Sequence, residues 1–224
     1  EKSVVQLPPL AKGENLYRAG DPFAGLYLVK SGSFKAVMIS GGGDEQVVSF
    51  CLPGAITGYD GFDGHYACTV TALEQSAVCF LSSEQFDRLS REVPALAAYV
   101  HRAMGKNFNA MSEMKLLMAQ RPAEDRLTCY LFNLADCFAE RGFSGREFQM
   151  SMSRHDIANF LGLAPETVSR LFTHLREEGV ISMDGKWVKI LDADQLRRTT
   201  CSYVGEEKDY VESPEDPSST VADR

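Results

Sequence analysis

Leu161-Gly-Leu-Ala-Pro-Glu-Thr-Val-Ser-Arg-Leu-Phe-Thr-His174 is the stretch on which the reading of this chain turns. Leu161 closes an apolar-periodic segment, and Gly162 permits a tight turn. A second amphipathic segment opens at Pro165, whose missing N–H is harmless in the first turn of a helix. Two short helices joined this way form a helix-turn-helix. The second helix brings Glu166, Ser169 and Arg170 to one face. An arginine forks onto O6 and N7 of guanine, a glutamate accepts from cytosine N4, and a serine contacts either strand or a phosphate. That chemistry suits the major groove of double-stranded DNA. A solvated helix face carrying an Arg–Glu pair is the plainer alternative.

The flanks agree with the motif. Upstream, Ser153 and Asp156 have the spacing of a capping box, with Asp in place of the usual Glu or Gln. Ile157, Ala158 and Leu161 then form the inward stripe of the first helix. Ala164 is a poor N-cap, which leaves the first N–H groups of the second helix free for a phosphate. Downstream, Gly179-Val-Ile-Ser-Met183 and Trp187-Val-Lys-Ile190 flank Asp184-Gly185, a strong hairpin signal. A helix-turn-helix followed by a hairpin is a winged helix. Lys186 and Lys189 lie on or beside the wing, where a lysine positions phosphate without specifying sequence. The expected DNA contacts are therefore Glu166, Ser169 and Arg170, joined by Thr167, Ser153, Arg154 and Lys186, with His174 one turn beyond Arg170.

Further upstream the pattern changes. Leu26–Val29, Phe34–Ile39, Gln46–Phe50, Cys68–Leu73 and Ala77–Leu81 are short β-rich runs separated by glycine-containing breakers. Close spacing of such runs predicts a β-roll or barrel. A long helix follows Pro94. Its apolar positions Val100, Met104, Phe108, Met111, Met114 and Met118 step by three or four residues and extend beyond what a small roll needs to cover. A sustained seam predicts a coiled-coil-like homodimer interface; packing against the chain's own roll is the alternative. Pro122 opens another helix, running to about Glu140 with Leu127, Leu131 and Leu134 inward. The expected fold is α+β. Residues 1–90 form the roll, 91–121 the dimerisation helix, 122–200 the winged module and 201–224 an acidic, disordered tail.

Composition bounds the rest. The 224 residues carry a net charge of −8, but residues 151–200 hold seven basic and seven acidic side chains, net zero. The tail, 201–224, holds two basic and seven acidic side chains. The acidity thus sits outside the expected DNA module, and a neutral module needs a partner copy to bind firmly. No apolar run has spanning length and no signal-peptide pattern occurs, so no membrane role and a cytoplasmic location are expected. The chain opens at Glu1, not Met, and what lies upstream is left open. None of the six cysteines forms a C-x-x-C pair, which argues against structural zinc. No nucleophile–base set is visible, and no Lys-Ser/Thr follows Gly41-Gly-Gly43, so the chain does not read as an enzyme.

Together these residues resemble the CRP/FNR regulators. Lys12-Gly-Glu-Asn-Leu-Tyr-Arg-Ala-Gly-Asp21 resembles the family's roll entrance. Gly43-Asp-Glu-Gln46, Leu52-Pro-Gly54, Gly58-Tyr-Asp60, Ala72-Leu-Glu-Gln-Ser-Ala-Val-Cys79 and Arg141-Gly-Phe-Ser144 resemble the fumarate–nitrate branch, as does Glu166-x-x-Ser169-Arg170. The resemblance implies a cyclic-nucleotide-binding-like roll, a homodimer, a TTGAT-type palindrome and contact with RNA polymerase. Gly43, Asp44 and Glu45 would then lie in one polymerase-facing loop. It also implies that Cys79 is one ligand of an oxygen-sensing [4Fe–4S] cluster in the full-length protein. The other three ligands would precede residue 1, so this chain alone would hold no cluster. No arginine occurs between Arg18 and Arg88, so the fork that would clamp the phosphate of cyclic AMP is missing. A cofactor-free relative of the nitrogen-fixation regulator and a haem-based nitric-oxide sensor remain alternatives, the latter because of Pro165. A ligand-binding regulatory module without DNA activity is a further one.

Overall fold

The computed structural model describes residues 4–196. The expected acidic tail and Cys201 lie outside the described residues. The chain starts with eight strands: β1 (Val5–Gln6), β2 (Asn15–Tyr17), β3 (Gly25–Ser31), β4 (Phe34–Ile39), β5 (Glu45–Cys51), β6 (Ile56–Thr57), β7 (Thr69–Ala72) and β8 (Ala77–Ser82). They form two four-stranded antiparallel sheets, ordered β1-β8-β3-β6 and β2-β7-β4-β5. Side chains alternate across a strand, and the inward set includes Val29, Phe34, Val70 and Val78, each at most 1% exposed. Tyr17 stacks on Tyr66 with ring centroids 4.0 Å apart, and Tyr27 lies 5.5 Å from Tyr17. This is the expected roll.

Three helices follow: α1 (Ser83–Glu92), α2 (Pro94–Gln120) and α3 (Ala123–Ala139). The short α1 escaped the sequence reading, although Ser82 caps it by accepting from the Gln85 N–H at 3.3 Å. Helix α2 stops where proline dictates. Arg121 precedes Pro122 and takes extended angles, φ −117° and ψ 147°, because proline's ring crowds a helical residue before it.

The seam on α2 is not uniform. Val100 is 1% exposed within a single chain, so it belongs to the protomer's own packing and is withdrawn from the expected dimer contacts. Phe108 and Met111 stand exposed, at 71% and 43%. Met104 is half-buried, Met114 packs against the C-terminal core, and the Met118 methyl lies against Gly162.

The C-terminal module comprises β9 (Glu147–Gln149), α4 (Arg154–Leu161), α5 (Pro165–Glu177), β10 (Ile181–Asp184) and β11 (Trp187–Ile190). Strand β9 adds a third strand to the wing, in the order β10-β11-β9. The hairpin register corrects the expected turn by one residue. Asp184 pairs with Trp187, so the two-residue loop is Gly185-Lys186, with Gly185 at φ 56°. Leu127, Leu131, Ile157, Leu161, Val168, Phe172 and Ile181 build the core of this module, and Leu52 and Leu73 of the roll join the same cluster.

Candidate nucleic-acid interface

The turn between α4 and α5 follows from Gly162, which takes left-handed angles, φ 63° and ψ 42°, at little cost without a Cβ. Helix α5 then buries Val168, Phe172 and Leu175 at a spacing of four and three. That places Glu166, Ser169, Arg170 and Thr173 on the exposed side, with Thr167 half-buried beside them. Ser169 Oγ donates to the Pro165 carbonyl at 2.9 Å, leaving its lone pairs free to accept. Ala164 supplies no side-chain cap, so the first N–H groups of α5 remain available to an anion. Lys186 is exposed at the wing tip. The shared exposed face of Glu166, Ser169 and Arg170 was legible in the sequence because it depends on local spacing.

Three expected contacts fare differently. Ser153 and Asp156 do form a capping box, and the Ser153 hydroxyl is occupied by that carboxylate. Arg154 turns inward: its Cζ lies 3.3 Å from the centroid of Phe172, and Nη2 sits 3.2 Å from Met183 Sδ. Burial pushes its pKa down from the usual value. His174 is exposed on α5, with Nδ1 3.3 Å from Glu124 Oε1 and Nε2 3.9 Å from Glu178 Oε1. Arg154 is therefore packed against the protein's own groups, whereas His174 stays at the surface beside two carboxylates.

In the roll, the tyrosine stack fills the interior. The Tyr17 hydroxyl meets Thr57 Oγ1 at 2.7 Å and donates to Asp60 Oδ1 at 2.9 Å. Asp60 Oδ2 also accepts from the Cys68 N–H at 2.9 Å. Burial, then Asp60, pushes the Cys68 thiol up to about 12, and burial pushes Cys51 up to about 11. Both thiols stay protonated at neutral pH and are poor ligands or nucleophiles. Cys79 is half-buried, opposite Gln6 of β1 and Leu28 of β3. Gly43, Asp44 and Glu45 lie exposed at the β4–β5 hairpin.

Sequence reasoning missed Arg126. Its Nε donates to the Arg121 carbonyl at 3.0 Å, Nη2 to Met118 at 2.7 Å and Nη1 to Leu161 at 3.2 Å. It thus clips the end of α2 to the end of α4. Its only sequence signal was a lone arginine near the start of a helix.

A roll, a long helix and a winged helix-turn-helix with an exposed polar face on its second helix define a DNA-binding transcription regulator with an N-terminal sensor-type domain. A family model described as the Crp-like helix-turn-helix domain matches residues 125–199, and one for the cyclic nucleotide-binding domain matches residues 8–92. The chain is 42% identical over 198 residues to the transcriptional activator protein anr of Pseudomonas aeruginosa, covering 88% of this chain and 80% of that protein. It is 40% identical over 189 residues to the fumarate and nitrate reduction regulatory protein of Escherichia coli, covering 84% and 76%. Among solved structures, FixK2 from Bradyrhizobium japonicum shares the fold, with a TM-score of 0.77 at 20% identity, covering 88% of this chain and 96% of that one. The chain belongs to the CRP/FNR family: it is a transcription activator of that type and not an enzyme. Among the described residues, no helix is long and apolar enough to cross a membrane.

Proposed function

We propose that this protein works in the cytoplasm as a homodimer that reads a TTGAT-type palindrome and contacts RNA polymerase, the Gly43–Glu45 hairpin being one contact. The observation that carries the DNA assignment is the shared exposure of Glu166, Ser169 and Arg170 on α5. Arg170 forks onto guanine, Glu166 accepts from cytosine, and Ser169 contacts a base or phosphate. Lys186 adds a sequence-independent phosphate contact. Pairing of two chains is supported by the exposed Phe108 and Met111 on α2. Family membership displaces the reading as a regulatory module without DNA activity.

In a gel-shift titration, Arg170→Ala should weaken binding by about 1–3 kcal/mol and relax preference at one base of each half-site. Lys186→Ala should weaken all sequences alike. Unchanged affinity and selectivity for Arg170→Ala would remove the assignment.

The finer reading is an oxygen- or redox-responsive activator. A [4Fe–4S] cluster needs four ligands. Among the described residues no three His, Cys, Asp or Glu side chains converge on a metal-sized site, so residues 4–196 alone do not fit it. Support for the reading rests on Cys79, the half-buried cysteine of the roll beside β1; Cys51 and Cys68 of the roll are buried, and the half-buried Cys137 lies on α3. Anaerobic reconstitution of the full-length protein should load about four irons per subunit, and Cys79→Ser should abolish that. Iron absent from the wild type would leave the cofactor-free reading, and iron retained by Cys79→Ser would remove Cys79 from the ligand set.

A further inference from the structure

The roll and the winged module meet through a polar contact away from the exposed face of α5. Lys35 Nζ on β4 lies 2.6 Å from Asp156 Oδ1 on α4. Asp156 is also the capping-box carboxylate of that helix, so a roll lysine is tied to the first turn of the helix-turn-helix. Nearly one turn on, Asn159 uses both ends of its amide. Its Oδ1 accepts from the Val47 N–H at 2.6 Å, and its Nδ2 donates to the Glu45 carbonyl at 2.8 Å. Strand β5 is an edge of its sheet, and the Asn159 amide pairs with that edge as a neighbouring strand would. Gln46 Nε2 returns a bond to the Asn159 carbonyl at 2.6 Å, and Ser33 Oγ meets Ser151 Oγ at 2.5 Å. Phe160 completes the contact, its ring centroid 5.1 Å from Phe50 and 5.8 Å from Tyr130.

The contact engages α4 and leaves Glu166, Ser169 and Arg170 on α5 exposed. Helices α4 and α5 share one core through Ile157, Leu161, Val168 and Phe172, so whatever fixes α4 fixes the reading helix. The chain path from α2 into the module is one bend at Arg121-Pro122, held by Arg126. A bend and one clip leave rotation about their line; a second attachment away from that line removes it. Lys35 and Asn159 provide the polar part of that second attachment, beside the Phe50–Phe160 and Ser33–Ser151 contacts and the packing of Leu52 and Leu73.

We propose that Lys35 and Asn159 are positioning residues for DNA reading: they hold α5 at one orientation relative to α2, and so set the half-site spacing the dimer accepts. The proposal rests on the DNA-reading dimer described above. In a two-fold dimer the distance between recognition helices must match the distance between half-sites, so loosening each module widens the range of tolerated spacings without touching base readout.

The test uses the full-length protein and duplexes carrying two TTGAT-type half-sites at a series of gaps, with a single half-site as reference. Wild-type protein should favour its best gap over gaps one base pair longer or shorter by about tenfold or more. Lys35→Met and Asn159→Ala should each reduce that ratio to about threefold or less, with single-half-site affinity within about twofold of wild type. Lys35→Arg should restore the ratio. An unchanged ratio in both variants overturns the positioning role. So does a parallel fall in single-half-site affinity and thermal midpoint, which marks a purely structural one. A wild type that binds but shows no preferred gap overturns the dimer spacing itself, and a wild type that binds no duplex overturns the DNA reading beneath it.

Discussion

The guanidinium carbon of Arg154 lies 3.3 Å from the centre of the Phe172 ring. Phe172 is 2% exposed on the inner face of α5, so this pairing joins the start of α4 to the underside of α5. A partly desolvated cation over an aromatic face contributes about 1–2 kcal/mol. Arg154→Ala should therefore lower unfolding stability by about that amount. Chemical denaturation checks it, and a variant that instead loses DNA affinity at unchanged stability would return Arg154 to the DNA face.

Asp156 responds to acid in a defined direction. Burial raises its carboxyl, but hydrogen bonds from Lys35 and Ser153 outweigh burial and hold it below the usual 3.8. A depressed native value means the bond's stabilisation is complete above the unfolded value near 3.8 and fades as pH falls through the native one. Lys35→Met should raise the native value. Carbon-detected NMR titration of the Asp156 carboxyl reads this directly, and an unshifted midpoint would show that Lys35 does not act on it.

Tyr130 is 5% exposed, and its hydroxyl has no hydrogen-bond partner among the described residues. A buried, unsatisfied hydroxyl is destabilising by about 1–3 kcal/mol. Tyr130→Phe keeps the ring against Phe50 and Phe160 and should raise stability by about 1 kcal/mol. A loss of stability in thermal unfolding would mean the hydroxyl is paired after all.

Met111 and Phe108 are the exposed apolar groups at the middle of α2. Met111→Glu should place like charges near the two-fold axis and shift the protein toward monomer. Sedimentation velocity decides; an unaltered dimer would move the interface elsewhere.

What the sequence revealed, and what it hid, divides by distance along the chain. The α5 face, the capping box at Ser153 and the wing were legible because each depends on residues within a few positions of one another. Lys35 read only as one residue of a strand, since its partner Asp156 lies 121 positions away. Asn159 read only as a polar position on α4, and its partners in β5 lie 112 or more positions back. Periodicity put His174 on the same helix as Arg170, but its proximity to Glu124 at the start of α3, 3.3 Å away, is a contact no local spacing announces. The α2 stripe was visible as a stripe, yet only the fold shows that Val100 faces inward while Phe108 faces out. Strand β9 is three residues long, too short for alternation to register.

The Arg126 clip has a mechanical consequence. Helix α2 has 27 residues, so it is a rod about 40 Å long. Because Arg126 grips the carbonyls of Met118 and Leu161 together, the far end of that rod and the turn before α5 travel as one body. A tilt of about 5° at one end then displaces the other by about 3.5 Å, close to the rise of one base pair. Where the Lys35 and Asn159 contacts yield, a disturbance at the roll end too slight to alter any fold would be geared up into a displacement of one base-pair rise at α5.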